Sequence, residues 1–148
     1  MKKNYLFWVA FCVTSCCIGQ GFESFTNSPL TASYSSGNFV GDNGVIWNYT
    51  QCRDENGDEF GAGIDGKAIL LRITASPGPG SIAALSGVGG VGEISMKLYK
   101  AFSSTTLRQV DLFVNGVLIE TSTGFNDTLE HVFTVTGINL RFFASGSR

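Results

Sequence analysis

Residues 41–54, GDNGVIWNYTQCRD, decide how the chain is read. Asn43-Gly44 is a turn pair, and the residues after it alternate so that Val45, Trp47 and Tyr49 share one face of a strand. The stretch closes on Arg53-Asp54 and runs into a second turn at Asn56-Gly57. A turn, an alternating strand rich in aromatics and another turn are the repeating grammar of an antiparallel all-β chain. Further segments follow it. Residues 67–74 (KAILLRIT), 93–100 (EISMKLYK), 107–114, 117–121 and 130–135 (EHVFTV) read as strands. Asn115-Gly116 joins two of them and is the strongest hairpin signal in the chain. Residues 22–25 (FESF) read as a short first strand with both Phe on one face, and residues 26–38 as a polar loop. Eight or nine strands and no amphipathic helix predict an antiparallel β-sandwich of jelly-roll type.

Length and charge narrow the function. The 148 residues suit one domain, and 15% charged residues with a net charge of −2 offer no broad cationic surface to nucleic acid. Lys2 and Lys3 precede a nine-residue apolar run, 5–13, too short to span a bilayer. Residues 1–19 therefore read as a signal peptide, leaving a module over 20–148 with no transmembrane helix. Two processing schemes stay open. Cutting after Gly19 follows a small-x-small pattern, whereas Val13-Thr14-Ser15-Cys16 resembles a lipobox that would leave Cys16 lipidated. Secretion or attachment to the cell envelope follows from either.

Export also changes the cysteine count. Cys12, Cys16 and Cys17 lie in or beside the leader, so Cys52 alone remains after cleavage at Gly19 and no internal disulfide can form. Cys52 reads as a small strand residue, and His131, the single histidine, as a surface imidazole. The glycine-rich run 87–92 (GVGGVG) lacks the Lys-Ser/Thr ending of a phosphate loop. No acid, base or nucleophile set can be assembled from these residues, so no enzyme is expected.

Binding chemistry has better candidates. Trp47 and Tyr49 form either a flat platform for a sugar ring or part of the core, depending on which way their face points. Arg53, Asp54 and Arg72 could pin ligand hydroxyls by charge-assisted bonds, or brace a loop by pairing with one another. Asp54, Asn56 and Asp58 offer oxygens at alternating spacing that resemble a calcium loop, although Glu59 stands where an EF-hand needs Gly. Calcium is the sole cofactor this pattern suggests; a solvated acidic turn is the other reading. Asp127-Thr128-Leu129 resembles the Asp-Thr-aliphatic signal for O-glycosylation of periplasmic proteins.

Several segments together resemble a known module. FESFTNS (22–28), NFVGDNGVIWNYTQCRDENGD (38–58), KLYKAF (97–102), RQVDLFVNGV (108–117) and EHVFTVTGINL (130–140) are similar to a β-sandwich module of secreted multidomain proteins of Bacteroidetes. Such modules accompany endonuclease or lamin-tail domains and a C-terminal sorting domain, and are similar to galactose-binding-like jelly rolls. The resemblance implies a carbohydrate-binding or adhesive appendage, with polysaccharide or cell-surface glycan as partner. A structural spacer accessory to a secreted enzyme such as a nuclease is the alternative. The family's Ile- and Val-rich final strands find no counterpart after Leu140, so the resemblance also implies a chain truncated or frameshifted near that point.

Overall fold

The computed structural model describes residues 21–55, 66–73, 78–84, 91–102 and 105–138, and these are all-β with no helix among them. Eight strands pair antiparallel throughout, as a β-sandwich requires. The expected leader (1–19), the lipobox, residues 87–90 of the glycine-rich run 87–92 and the C-terminal segment after Ile138 lie outside the described residues.

The first region is a four-stranded sheet built on the long strand β2 (Ile46–Glu55). Strand β1 (Ser35–Val40) pairs along one edge of it, joined through the Gly41–Gly44 turn. In that turn Gly44 N–H donates to the Gly41 carbonyl at 3.1 Å, and Gly44 adopts φ +72°, a left-handed conformation that glycine supplies without steric cost. Along the other edge, β3 (Ala68–Leu71) pairs with the C-terminal half of β2, and β4 (Ser81–Ala84) with its N-terminal half. At their junction Gly80 N–H donates to the Arg72 carbonyl at 2.6 Å, and Arg72 N–H to the Gln51 carbonyl at 3.2 Å. A Cβ on Gly80 would stand 2.5 Å from the Arg72 nitrogen and 2.7 Å from the Gln51 oxygen, so only glycine fits where the two short strands meet.

The second region has two ribbons. Strands β5 (Glu93–Leu98) and β8 (His131–Thr136) pair directly, and β6 (Asp111–Val114) and β7 (Val117–Thr121) form the expected hairpin. Asn115 and Gly116 both adopt left-handed φ, +52° and +78°, the requirement of a two-residue type I′ turn. The inward faces carry Ile94, Met96, Leu98, Leu112, Val114 and Ile119 against buried Phe133, Val135 and Ile138.

Three expectations need correction. Residues 22–25 are not a strand: Phe25 is left-handed at φ +59° and Phe22 is exposed. Glu23 holds this segment in place instead, accepting from the Phe25 and Asp42 backbone N–H groups at 2.9 and 3.0 Å. Strand β1 starts at Ser35, inside the expected loop, because backbone pairing with β2 needs no apolar side chains. Finally, β3 stops at Leu71, and the unexpected β4 takes over at Ser81.

Candidate functional site

The inward face of β2 settles which way the two rings point. Tyr49 is 7% exposed and belongs to the core with Leu30, Phe39 and Cys52. Trp47 packs edge-on against Phe25 at 5.9 Å and its indole N–H donates to Glu23 Oε2 at 3.0 Å. The exposed platform is therefore corrected to the inward alternative: both aromatics are spent on packing, with the indole N–H satisfied by a buried-side carboxylate. Glu23, an acidic residue between two Phe, was not singled out by the sequence reading. Gly41 leaves it room, since a Cβ there would fall 1.8 Å from Glu23 Oε2.

Strict alternation would then put Gln51 inward and Cys52 outward. The reverse occurs. Gln51 adopts φ +51°, and the pairing with β1 steps from Gly37↔Tyr49 to Ser35↔Cys52, so β2 carries one extra residue there. This bulge resets the parity of the strand. Cys52 turns inward, fully buried, and its single S–H proton is shared between the Thr50 and Ser81 carbonyls, each 3.3 Å away. Burial pushes that thiol up to about 11, so it is no nucleophile near neutral pH.

Beyond the bulge Arg53 points to the opposite, outer face, where three side chains meet. The ring of Tyr34, the residue just before β1, lies 6.0 Å from Arg53 Cζ and 5.2 Å from Arg72 Cζ. Both separations are within cation–π reach. Arg72 is the more firmly held. Its Nη1 donates to Gln51 Oε1 at 3.1 Å, while its backbone bonds Gln51 and Gly80 on either side. Leu70, across from Arg53 in the ladder and two residues before Arg72, is buried on this face. The arginine stems and the ring thus stand on an apolar base with their polar heads above it. Tyr34, Arg53 and Arg72 are all half-buried.

Asp54 does not join them. Successive strand residues face opposite ways, and Asp54 turns inward beside Ile69. Its Oδ2 lies 3.5 Å from Lys67 Nζ, which also donates to the Ser28 carbonyl at 3.3 Å. Arg53 Nε donates to the backbone carbonyl of Asp54, at 3.4 Å. The expected Arg53–Asp54 side-chain partnership is therefore corrected: the two are divided by the sheet. The other carboxylate oxygen of Asp54, Oδ1, is buried without a hydrogen-bond partner; Asn56 and Asp58, the other members of the expected calcium set, lie outside the described residues.

The second region gathers a polar group of its own. His131 Nε2 meets Asp127 Oδ1 at 2.8 Å, and its ring stacks on Phe125 at 4.4 Å. The contact to His131 holds the Asp127 carboxyl below its ordinary range, helped by the Leu129 N–H. Lys100 is buried nearby, its ammonium donating to the Asn126 carbonyl. Beside them a depression of about 250 Å³ is lined by Leu98, Ser122, Thr123, His131, Val132 and Phe133. Ser122 Oγ is occupied as the acceptor for the Val110 N–H, at 2.9 Å. The polar groups here cap loops. Thr128, in the segment resembling a glycosylation signal, is exposed on the same turn.

Comparison with protein families, curated proteins and solved structures finds no match to this chain. The outer-face cluster of Tyr34, Arg53 and Arg72 is thus argued on geometry alone. Two of its members were singled out in the sequence. Tyr34 was not, because a single aromatic in the polar run TASYSSGN carries no periodic signal. Among the described residues, no helix is long and apolar enough to cross a membrane.

Proposed function

We propose that the chain is an exported, non-catalytic binding or adhesive module, and that it holds polysaccharide on the outer face of its first sheet. The observation that carries this reading is the Tyr34 ring flanked by Arg53 and Arg72 at 6.0 and 5.2 Å. An aromatic face accepts the C–H groups of a sugar ring, and guanidinium donors beside it fix the hydroxyls or acids around that ring. Because Tyr34 and Arg72 flank β1 and β3 and Arg53 lies on β2, backbone pairing holds these groups in place and little conformational freedom is lost on binding. The placement of Cys52 and His131 supports leaving catalysis out. Cys52 is buried in the apolar cluster of the first sheet, His131 lies on β8 of the second region, and burial keeps the thiol protonated. Export, the envelope or extracellular location and the likeness to secreted Bacteroidetes modules are parts of the same proposal, resting on the sequence.

Retention of the full chain in native gels containing soluble polysaccharides tests it. Tyr34→Ala, with an unchanged melting temperature, is expected to lose that retention. Equal retention of the folded variant on every polymer that holds the natural protein would refute this site. A structural spacer is the second reading, favoured by the exposed outer face of the β6–β7 hairpin, where Phe113, Val117 and Leu118 lie open. Failure of the natural protein to bind any saccharide would favour it.

A further inference from the structure

We infer that the binding face runs on from the Tyr34 ring along β1 and β2 to the opposed amides of Asn38 and Asn48, so that the ligand is an internal stretch of a sugar chain several units long. This rests on the polysaccharide reading and sets the length of chain that it requires.

Asparagine is disfavoured in strands, where its side chain competes with the backbone ladder. Even so, Asn38 of β1 and Asn48 of β2 stand directly opposite one another in the first sheet. Both lie on its outer face, since their neighbours Phe39 and Tyr49 are buried on the inner one. Neither side-chain amide has a partner among the described residues. The loop asparagines differ: Asn27 donates to Asp42 Oδ1 at 3.2 Å, and Asn43 to the Phe22 carbonyl at 2.7 Å. The strand pair therefore keeps both its amide oxygens and both its NH2 groups open. A sugar hydroxyl gives and accepts hydrogen bonds, and a free amide answers it in both senses.

Alternation sets this pair in line with the ring. Tyr34, just before β1, shares a face with Ser36, Asn38 and Val40. Ser36 Oγ accepts from the Gln51 N–H at 3.1 Å, which ties the row to the bulge of β2. At the far end Val40 and Ile46 stand opposite one another, both exposed. On the other side of Asn48 is Ala83 of β4, too small to wall off the amides. Tyr34 and Asn38 are separated by roughly 13 Å of extended chain, more than one sugar ring covers. A sugar chain presents C–H faces and hydroxyl edges in turn, and the row answers with a ring, an amide pair and an apolar pair. A peptide is the poorer occupant. It joins a sheet through free backbone groups, whereas Trp47, Asn48 and Tyr49 are paired with β1 on one side and β4 on the other.

The test titrates the full chain by calorimetry with dextran, galactan and xylan, each beside its own oligosaccharides from disaccharide to hexasaccharide. For the polymer that binds, the hexasaccharide is expected to bind about tenfold more tightly than the disaccharide, the gain of the extra hydrogen bonds at the amide pair. Asn38→Val and Asn48→Val put a strand-favouring residue at each position and are expected to melt no lower than the natural protein. Each should weaken the hexasaccharide by about fivefold and shrink its advantage over the disaccharide. Should a Val variant fail to fold, the length series on the natural protein still decides. Equal affinity for disaccharide and hexasaccharide would overturn the extended face and leave the polysaccharide reading standing at Tyr34. A length dependence that both folded variants keep in full would also overturn it, by laying the chain elsewhere. No binding to any of the three polymers would remove both.

Discussion

The two regions of the molecule bury their apolar residues by different means. In the first, large rings interlock: Phe25 meets Phe39 and Trp47 edge-on at 6.5 and 5.9 Å, Phe39 meets Tyr49 at 6.3 Å, and Cys52 fills what remains. Special backbone positions at Gly80, Gly41 and Gln51 make that interlocking possible. In the second, aliphatic faces of two ribbons close over Phe133, Val135 and Ile138, and much apolar surface stays outside. Its charged contacts are peripheral too, with Lys97 2.9 Å from Glu130 and the Tyr99 hydroxyl donating to the same carboxylate. The lesson concerns where a flat, rigid face can be built. The first region combines a tightly packed interior with an outer face on which Tyr34, Arg53 and Arg72 meet, and the proposed site lies on it.

Substitutions within the cores test this contrast most directly. Tyr49→Ala removes the buried ring that packs on Phe39 and is expected to cost about 3–5 kcal/mol, enough to unfold a marginal domain. Ile138→Val in the second region removes one methylene and is expected to cost about 1 kcal/mol. Urea unfolding of both proteins measures the difference, and equal costs would erase the distinction drawn between the two interiors.

Next in size is the junction of β3 and β4. Gly80→Ala forces a Cβ against backbone atoms that cannot rotate away, and a loss of about 2 kcal/mol is expected. The same substitution at Gly41 meets side-chain rather than backbone atoms, and its relief requires moving Glu23 off its N–H partners and shifting the Trp47 indole. Melting temperatures should rank Gly80→Ala below Gly41→Ala; the opposite order would mean that the junction is looser than the hydrogen bonds at Arg72 imply.

Acid provides the mildest probe. Asp127 and Glu130 in the second region have carboxyls held below their ordinary values of 3.8 and 4.5, by His131 and by Tyr99 with Lys97 respectively. Asp42 in the first is lowered by Ser24. A carboxyl depressed in the folded state contributes stability above its unfolded value and loses it as pH falls through the folded one. Stability is therefore expected to hold down to about pH 4.5 and to decline below it. In thermal melts Asp127→Asn should decline less steeply than the natural protein. Identical slopes would show that the Asp127–His131 contact adds nothing in solution.

Much of the fold was legible in the sequence. Asn-Gly pairs carry their own backbone requirement, so the turns at Asn43-Gly44 and Asn115-Gly116 were found, and clean alternation located β5, β7 and β8. Strand β1 was hidden because its residues, SSGNFV, pair through backbone and bury only Phe39. Residues 22–25 misled for the converse reason, since two Phe around Glu23 imitate a strand while the carboxylate is engaged with a distant indole. The candidate site was half legible. Arg53 and Arg72 stood out as charges in strand segments, but the ring they share is Tyr34, which only cross-strand pairing brings to them. Asp54, adjacent in sequence, was drawn in by proximity along the chain and excluded by the pleat.

The bulge at Gln51 has a consequence for how this chain can change by mutation of its length. Deleting one codon from a surface turn shortens a loop. Deleting the codon for Gln51 would turn the end of β2 inside out, presenting Cys52 and Asp54 to the surface and driving Arg53 into the ring network. Descendants of this gene can therefore exchange side chains around the cluster freely, but they must keep the residue count of that strand. The left-handed residue acts as a counting mark, and the proposed site persists only in lineages that preserve the count.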